Sequence, residues 1–200
     1  MNSIAIGRPL VGRFIPKGGA GRLIALAGFA VLGSLILWAS AKASVPFWPV
    51  PMTLQTGAVV LLGAAYGWRL GLATVLLYLM EGAVGLPVFA AGGGLAYLAG
   101  PTGGFLIGFI PAVVIVGWLC EHGFDRNPLR LFVAMLAGDC VIFLLGFIWL
   151  AWFASLSNGG VGVGAGAAFI GGVLRFVLGD LVKIALAACL VTAGARLVRR

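Results

Sequence analysis

The sequence predicts an all-α, polytopic membrane protein with six transmembrane helices and both termini cytoplasmic, and three observations carry that prediction. Of the 200 residues, 62% are hydrophobic and only 9% charged, with 33 glycines. The mean hydropathy is +1.16, a profile that no water-soluble domain of this length keeps monomeric. Long apolar runs recur along most of the chain, so the bilayer is its solvent. Finally, ten of the thirteen Lys and Arg residues fall in every second connection between those runs, as expected when basic loops stay cytoplasmic.

Residues 1–21, with Arg8, Arg13 and Lys17, read as a cytoplasmic tail, because their apolar stretches are too short for a signal peptide. Residues 22–200 then form one membrane domain. Its first helix runs from Arg22 to Ala41. The apolar stretch Leu54 to Val84 is long for one span and tight for two, since a span takes about 20 residues. Charge decides between them. Two short helices meeting at Gly67-Trp68-Arg69 put the leader, Arg69, the Arg126 and Arg130 loop, and the Arg196, Arg199 and Arg200 tail on one face, leaving only Lys42 opposite. Five spans would send Arg126, Arg130 and the tail outside. The remaining helices are expected at Phe105 to Leu119, Leu129 to Leu156 and Ala167 to Val198.

The outward connections differ in composition from the inward ones. Ala43 to Thr53 contains three prolines, which preclude a regular helix. Gly85 to Gly104 and Ser157 to Gly172 are glycine-rich. Irregular apolar backbone persists at a membrane only where protein buries it or it lines a cavity, so these loops are expected to fold over a pocket open toward the outer face. Phe89, Tyr97, Pro101 and Phe105 offer it aromatic and apolar walls. Ser157 to Gly166 is equally readable as a flexible linker.

Asp180 and Lys183 stand three residues apart and so share a face of the last helix. Lys183 lies about 20 Å along the helix from Arg196, near mid-membrane, where each charge costs about 3 kcal/mol. Such residues usually face a protein interior or a watery cavity and mark function; the bland alternative is a self-neutralising pair that locks packing. Arg175, two turns outward, is placed either to meet a ligand carboxylate or to snorkel. Asp139 is expected to neutralise a cation on a neighbouring helix, and Glu81 to cap or anchor at the surface. Ala39-Ser40-Ala41-Lys42-Ala43 forms an edge of small residues suited to close helix approach, within the fold or to another subunit.

Several functions lack their residues. The net charge of +8 sits at helix ends, where anionic headgroups rather than nucleic acid attract it. Cys120, Cys140 and Cys189 are isolated in apolar sequence, and no metal spacing or catalytic triad occurs, so packing roles, no metal and no enzyme are expected. No lysine follows a glycine, which excludes a P-loop.

Four blocks in order, Pro46 with Trp48-Pro49-Val50-Pro51-Met52-Thr53-Leu54-Gln55-Thr56, Gly82-Ala83-Val84-Gly85-Leu86-Pro87-Val88-Phe89-Ala90, Gly100-Pro101-Thr102-Gly103-Gly104-Phe105, and Gly179-Asp180-Leu181-Val182-Lys183, resemble the BioY family. These are the biotin-binding S components of energy-coupling factor (ECF) transporters. The resemblance implies a six-helix protein of the cell (inner) membrane that takes biotin from outside with high affinity as its transported ligand, without a cofactor. It also implies a transmembrane coupling subunit and a pair of ATP-binding subunits as partners. On the same basis Asp180 and Lys183 contact the vitamin, and Ala39 and Ala43 meet the coupling subunit, with Ala41 offering a competing register. Chemistry suggests Asp180 for the ureido head, Lys183 with Arg175 for the carboxylate, and Thr53, Gln55, Tyr97 and Thr102 as polar lining. An S component for another vitamin and an autonomous carrier remain alternatives.

Overall fold

The computed structural model describes residues 9–157 and 159–199; the first eight residues of the expected tail, Arg8 among them, together with Asn158 and Arg200 lie outside the described residues. The helices are α1 (Gly19–Lys42), α2 (Gln55–Ala83), α3 (Leu95–Ala99), α4 (Gly103–Glu121), α5 (Pro128–Trp152), α6 (Ala165–Phe169) and α7 (Val177–Arg199). A 3-10 turn at Leu10–Arg13 precedes α1, and a π-helical turn at Ile170–Leu174 joins α6 to α7.

By length and composition, five helical stretches can cross a membrane, and α2 accounts for the sixth expected span. At Gly67 its backbone takes φ 76° and ψ 175°, a region open essentially to glycine alone. The chain reverses there. Gln55 and Tyr78 would stand about 35 Å apart on a straight helix, yet Gln55 Nε2 donates to Tyr78 Oη at 2.7 Å. α2 is therefore a hairpin with limbs 55–66 and 68–83, turning at the Gly67-Trp68-Arg69 site that the charge pattern requires.

This turn packs on Pro9 and Glu121, and the Trp68 N–H donates to Glu121 Oε1 at 3.2 Å. The N-terminal segment, the α2 turn and the α4–α5 connection thus meet at one end of the bundle, the end rich in arginine. α2 occupies the centre, packed against α1, α4, α5 and α7, while α4 also packs along α5. Leu62, Val75, Tyr78, Val113 and Ile142 belong to the main core, and Val60, Val116, Met135 and Ile184 to a second one. In contrast, α1 fully buries only Gly33, Ser34, Leu37 and Ala41, with Leu26, Phe29 and Ala30 partly buried against the core, and exposes most of its other apolar side chains.

Hydrogen bonds hold the three connecting loops at the opposite end, through the backbone in the first and third and through side chains in the second. In the first, Ser44–Val45 pairs antiparallel with Met52–Thr53. The second is held where Tyr78 Oη donates to Val88 O at 2.9 Å, Lys42 Nζ to Phe89 O at 2.7 Å and Trp149 Nε1 to Gly100 O at 2.9 Å. The third is no loose linker. Gly162 and Val163 N–H groups donate to Ala154 O and Leu150 O, folding this part of it back over the end of α5, so these two donors find partners without water.

Three expectations change. Asp139 is buried, but it makes no ion pair among the described residues, and its Oδ1 has no hydrogen-bond partner. Lys183, on the neighbouring α7, is paired with Asp180 instead. Glu81 accepts a short hydrogen bond from the buried Ser34 hydroxyl and so ties α2 to α1 rather than anchoring at a surface. Of the cysteines only Cys120 packs in the core; Cys140 and Cys189 are exposed on the outside of the bundle.

Candidate ligand-binding site

The last span is broken so that a helix begins inside the protein. Following the π-helical turn, α7 starts at Val177, with Asp180 in its first turn. A carboxylate there meets the positive end of the helix dipole. Asp180 is 2% exposed. Its Oδ1 lies 2.6 Å from Lys183 Nζ and accepts from the Thr56 hydroxyl at 2.5 Å. Lys183 Nζ is also 3.4 Å from Thr56 Oγ1. Asp180 Oδ2 is buried and has no hydrogen-bond partner among the described residues, which leaves an unmet acceptor of the kind that normally costs about 1–3 kcal/mol or more when charged.

Gly57 brings α7 this close. A Cβ there would stand 3.0 Å from Lys183 Cβ, so the absence of a side chain lets the lysine stem cross the first limb of α2. Lys183 and Asp180 both line one cavity, walled mainly by apolar and aromatic side chains with a few convergent polar groups, the composition usual for small-molecule sites. Phe105, Phe109, Phe143 and Phe176 form one aromatic side; Phe105 and Phe176 each meet Phe143, with ring centres 6.1 and 6.3 Å apart. Across from them, Phe89 stacks on Tyr97 at 5.1 Å. Val50, Pro51 and Ala90 from the loops complete the enclosure.

The polar lining is cross-braced. Gln55 is buried; its side-chain oxygen lies 3.4 Å from the Thr53 hydroxyl, while its amide donates to Tyr78. Tyr78 in turn donates to Val88 O. This relay joins the first loop, both limbs of α2 and the second loop, so the two loops cannot shift independently of the cavity wall.

Of the residues singled out from sequence, Asp180, Lys183, Tyr97, Thr102, Gln55 and Thr53 all line this one cavity. Arg175 does not. It is exposed and places Nη1 3.5 Å from Trp48 O, on the first loop. Pro101 is likewise absent from the lining, although Phe89 and Phe105 are present. Ala39 and Ala43 are exposed at the cavity end of α1, whereas Ala41 is fully buried, so the two outward alanines share one register and Ala41 belongs to the fold. Thr56 was missed, although it bonds both charged groups. Its signal was its place one residue after Gln55 at the start of α2, in sequence already notable for polar residues. Nothing local in the sequence marks Phe109, Phe143 or Phe176, which resemble any buried aromatic residue.

The sequence profile of the BioY family matches residues 19–200. The chain is 43% identical over 148 residues to the probable biotin transporter BioY of Pyrococcus horikoshii, covering 74% of this chain and 82% of that one. It is 37% identical over 155 residues to the biotin transporter BioY of Rhizobium etli, covering 74% and 79%. Its fold matches the crystal structure of the S-component for biotin from an ECF-type ABC transporter, with a TM-score of 0.75 at 22% identity, over 92% of this chain and 96% of the other.

Proposed function

The chain belongs to the BioY family, a family of multi-pass membrane transporters, and from that premise we propose that it captures biotin at the outer face as the S component of an ECF importer. Residues 22–200 form the binding domain and residues 1–21 a cytoplasmic tail. Both termini face the cytoplasm, across the inner membrane from the cavity mouth. The arginine-rich end of the bundle supports this orientation. Because no lysine follows a glycine in the chain, it carries no P-loop of its own, and energy comes from a coupling subunit with ATP-binding subunits. The exposed Ala39 and Ala43 edge of α1 is open to close approach by a helix of the coupling subunit.

The observation that carries the reading is a buried carboxylate oxygen without a partner, beside an ammonium group, at the wall of an aromatic chamber. Asp180 Oδ2 accepts ureido N–H groups and Phe105, Phe143 and Phe176 enclose the sulfur ring. The 2.6 Å contact between Lys183 and Asp180 is too short for the two to serve opposite ends of an extended ligand. Lys183 therefore donates to the ureido oxygen beside Asp180 instead of reaching the valeryl carboxylate. Thr53, Gln55, Tyr97 and Thr102 supply the remaining polar surface, while Arg175 is left to the first loop.

Calorimetric titration of the detergent-purified protein with biotin, thiamine and riboflavin tests this. Saturable binding of biotin alone is expected; equal or tighter binding of another vitamin would reject the assignment.

A further inference from the structure

At the end opposite the cavity, the segment preceding α1, α1 itself, the turn of α2 and the end of α4 line an open cleft. Its floor is apolar, with Leu26 and Ala30 from α1 and Leu70 and Ala73 from the second limb of α2. Its rim is cationic. Arg22 and Arg69 both line it, both are exposed, and neither forms an ion pair among the described residues. The Arg69 guanidinium carbon stands 5.0 Å from the centre of the Trp68 ring, an arrangement that steadies the charged group on the indole face. The one acid lining the cleft, Glu121, accepts from the Trp68 amide N–H and makes no ion pair with either arginine among the described residues, so the lining keeps two cations to one anion. A neighbouring lobe extends the positive rim to Lys17.

A net cationic rim of unpaired arginines above an apolar trench suits an amphipathic, anionic occupant. A free phosphate would answer the rim and leave the trench bare, while a protein helix would need acids at the level of both arginines. From this complementarity we infer that the cleft is a binding site for an anionic phospholipid, with its phosphate at Arg22 and Arg69 and an acyl chain along Leu26, Ala30, Leu70 and Ala73. Guanidinium groups suit the role because they bond phosphate oxygens through paired N–H groups.

The full chain, purified in neutral detergent, can be given phosphatidylglycerol, phosphatidylcholine or inorganic phosphate and the bound species counted by native mass spectrometry. The expected result is at least a tenfold preference for phosphatidylglycerol over phosphatidylcholine and no retention of phosphate. In R22Q/R69Q that preference disappears while the melting temperature in phosphatidylcholine is unchanged. If the double variant is unstable, R22Q alone should lose the preference severalfold. Equal retention of the two lipids, phosphate binding as strong as lipid binding, or full preference in the variants overturns the site. So does a wild-type cleft that binds no lipid but holds a co-expressed membrane subunit through the same arginines.

Discussion

Asp180 is stabilised where it stands by Lys183, Thr56 and the start of α7, yet one of its oxygens remains unsatisfied. Removing Lys183 alone would strand a buried charge at a cost of about 3–5 kcal/mol, so a binding loss in Lys183→Ala would be hard to separate from unfolding. Asp180→Asn keeps the shape and an acceptor for Lys183 while removing the charge. A hydrogen bond to a charged group contributes about 1.5–3 kcal/mol, so this variant should lose roughly 10- to 150-fold in affinity for the proposed ligand. Arg175→Ala, which alters an exposed residue outside the cavity lining, should change affinity less than about threefold, within the range of an ordinary surface contact. Titration of both variants checks the pair of outcomes, and a larger loss in Arg175→Ala would move the carboxylate site to the first loop. At this scale the sequence exposed the charged pair because ions in hydrocarbon are costly wherever they point. It left Thr56, Phe109, Phe143 and Phe176 unmarked, because hydroxyls and aromatic rings are tolerated in many surroundings.

Gly67 decides whether residues 55–83 form one long helix or a hairpin. Its backbone angles belong to a region that costs other residues about 1–3 kcal/mol, and a Cβ would also stand 2.7 Å from Pro9 Cγ, as well as against Glu121. Gly67→Ala should therefore lower stability by at least about 2 kcal/mol, read as a fall in the melting temperature of the purified protein. A melting temperature equal to wild type would show that the turn tolerates a side chain. Hydropathy could not separate the limbs, since both are apolar up to the turn; the arginine at position 69 did. The opposite failure occurs in the last span, where a continuous apolar run hides the break between Ile170 and Phe176. That break is made by packing, with the π-helical turn set against the first loop where a Cβ on Gly171 would stand 2.8 Å from Pro49 Cδ.

For the whole molecule, the arginine-rich surface and the cavity lie at opposite ends. The turn at Gly67, Pro9 and Glu121 gather at the arginine-rich end, while the second loop, pinned by Lys42, Tyr78 and Trp149, helps close the other. If the arginine-rich end is cytoplasmic, Lys17→Cys should react with a membrane-impermeant thiol reagent only from inside right-side-out vesicles made permeable, and Ser157→Cys from outside intact ones. These assays need a background in which Cys120, Cys140 and Cys189 are replaced by serine or alanine, and reversed labelling would overturn the orientation. The sequence by itself determined the membrane class, the six crossings, the axis of charge and the blocks shared with the BioY family, because hydropathy, loop charge and motif order are local or additive along the chain. Only the tertiary structure decided that Thr56 and Asp180, 124 residues apart, share a hydrogen bond, that Arg175 stays outside the cavity lining, and that Asp139 forms no ion pair among the described residues. Those outcomes depend on where helices place side chains across a packed bundle, a relation between distant segments that no window of sequence contains.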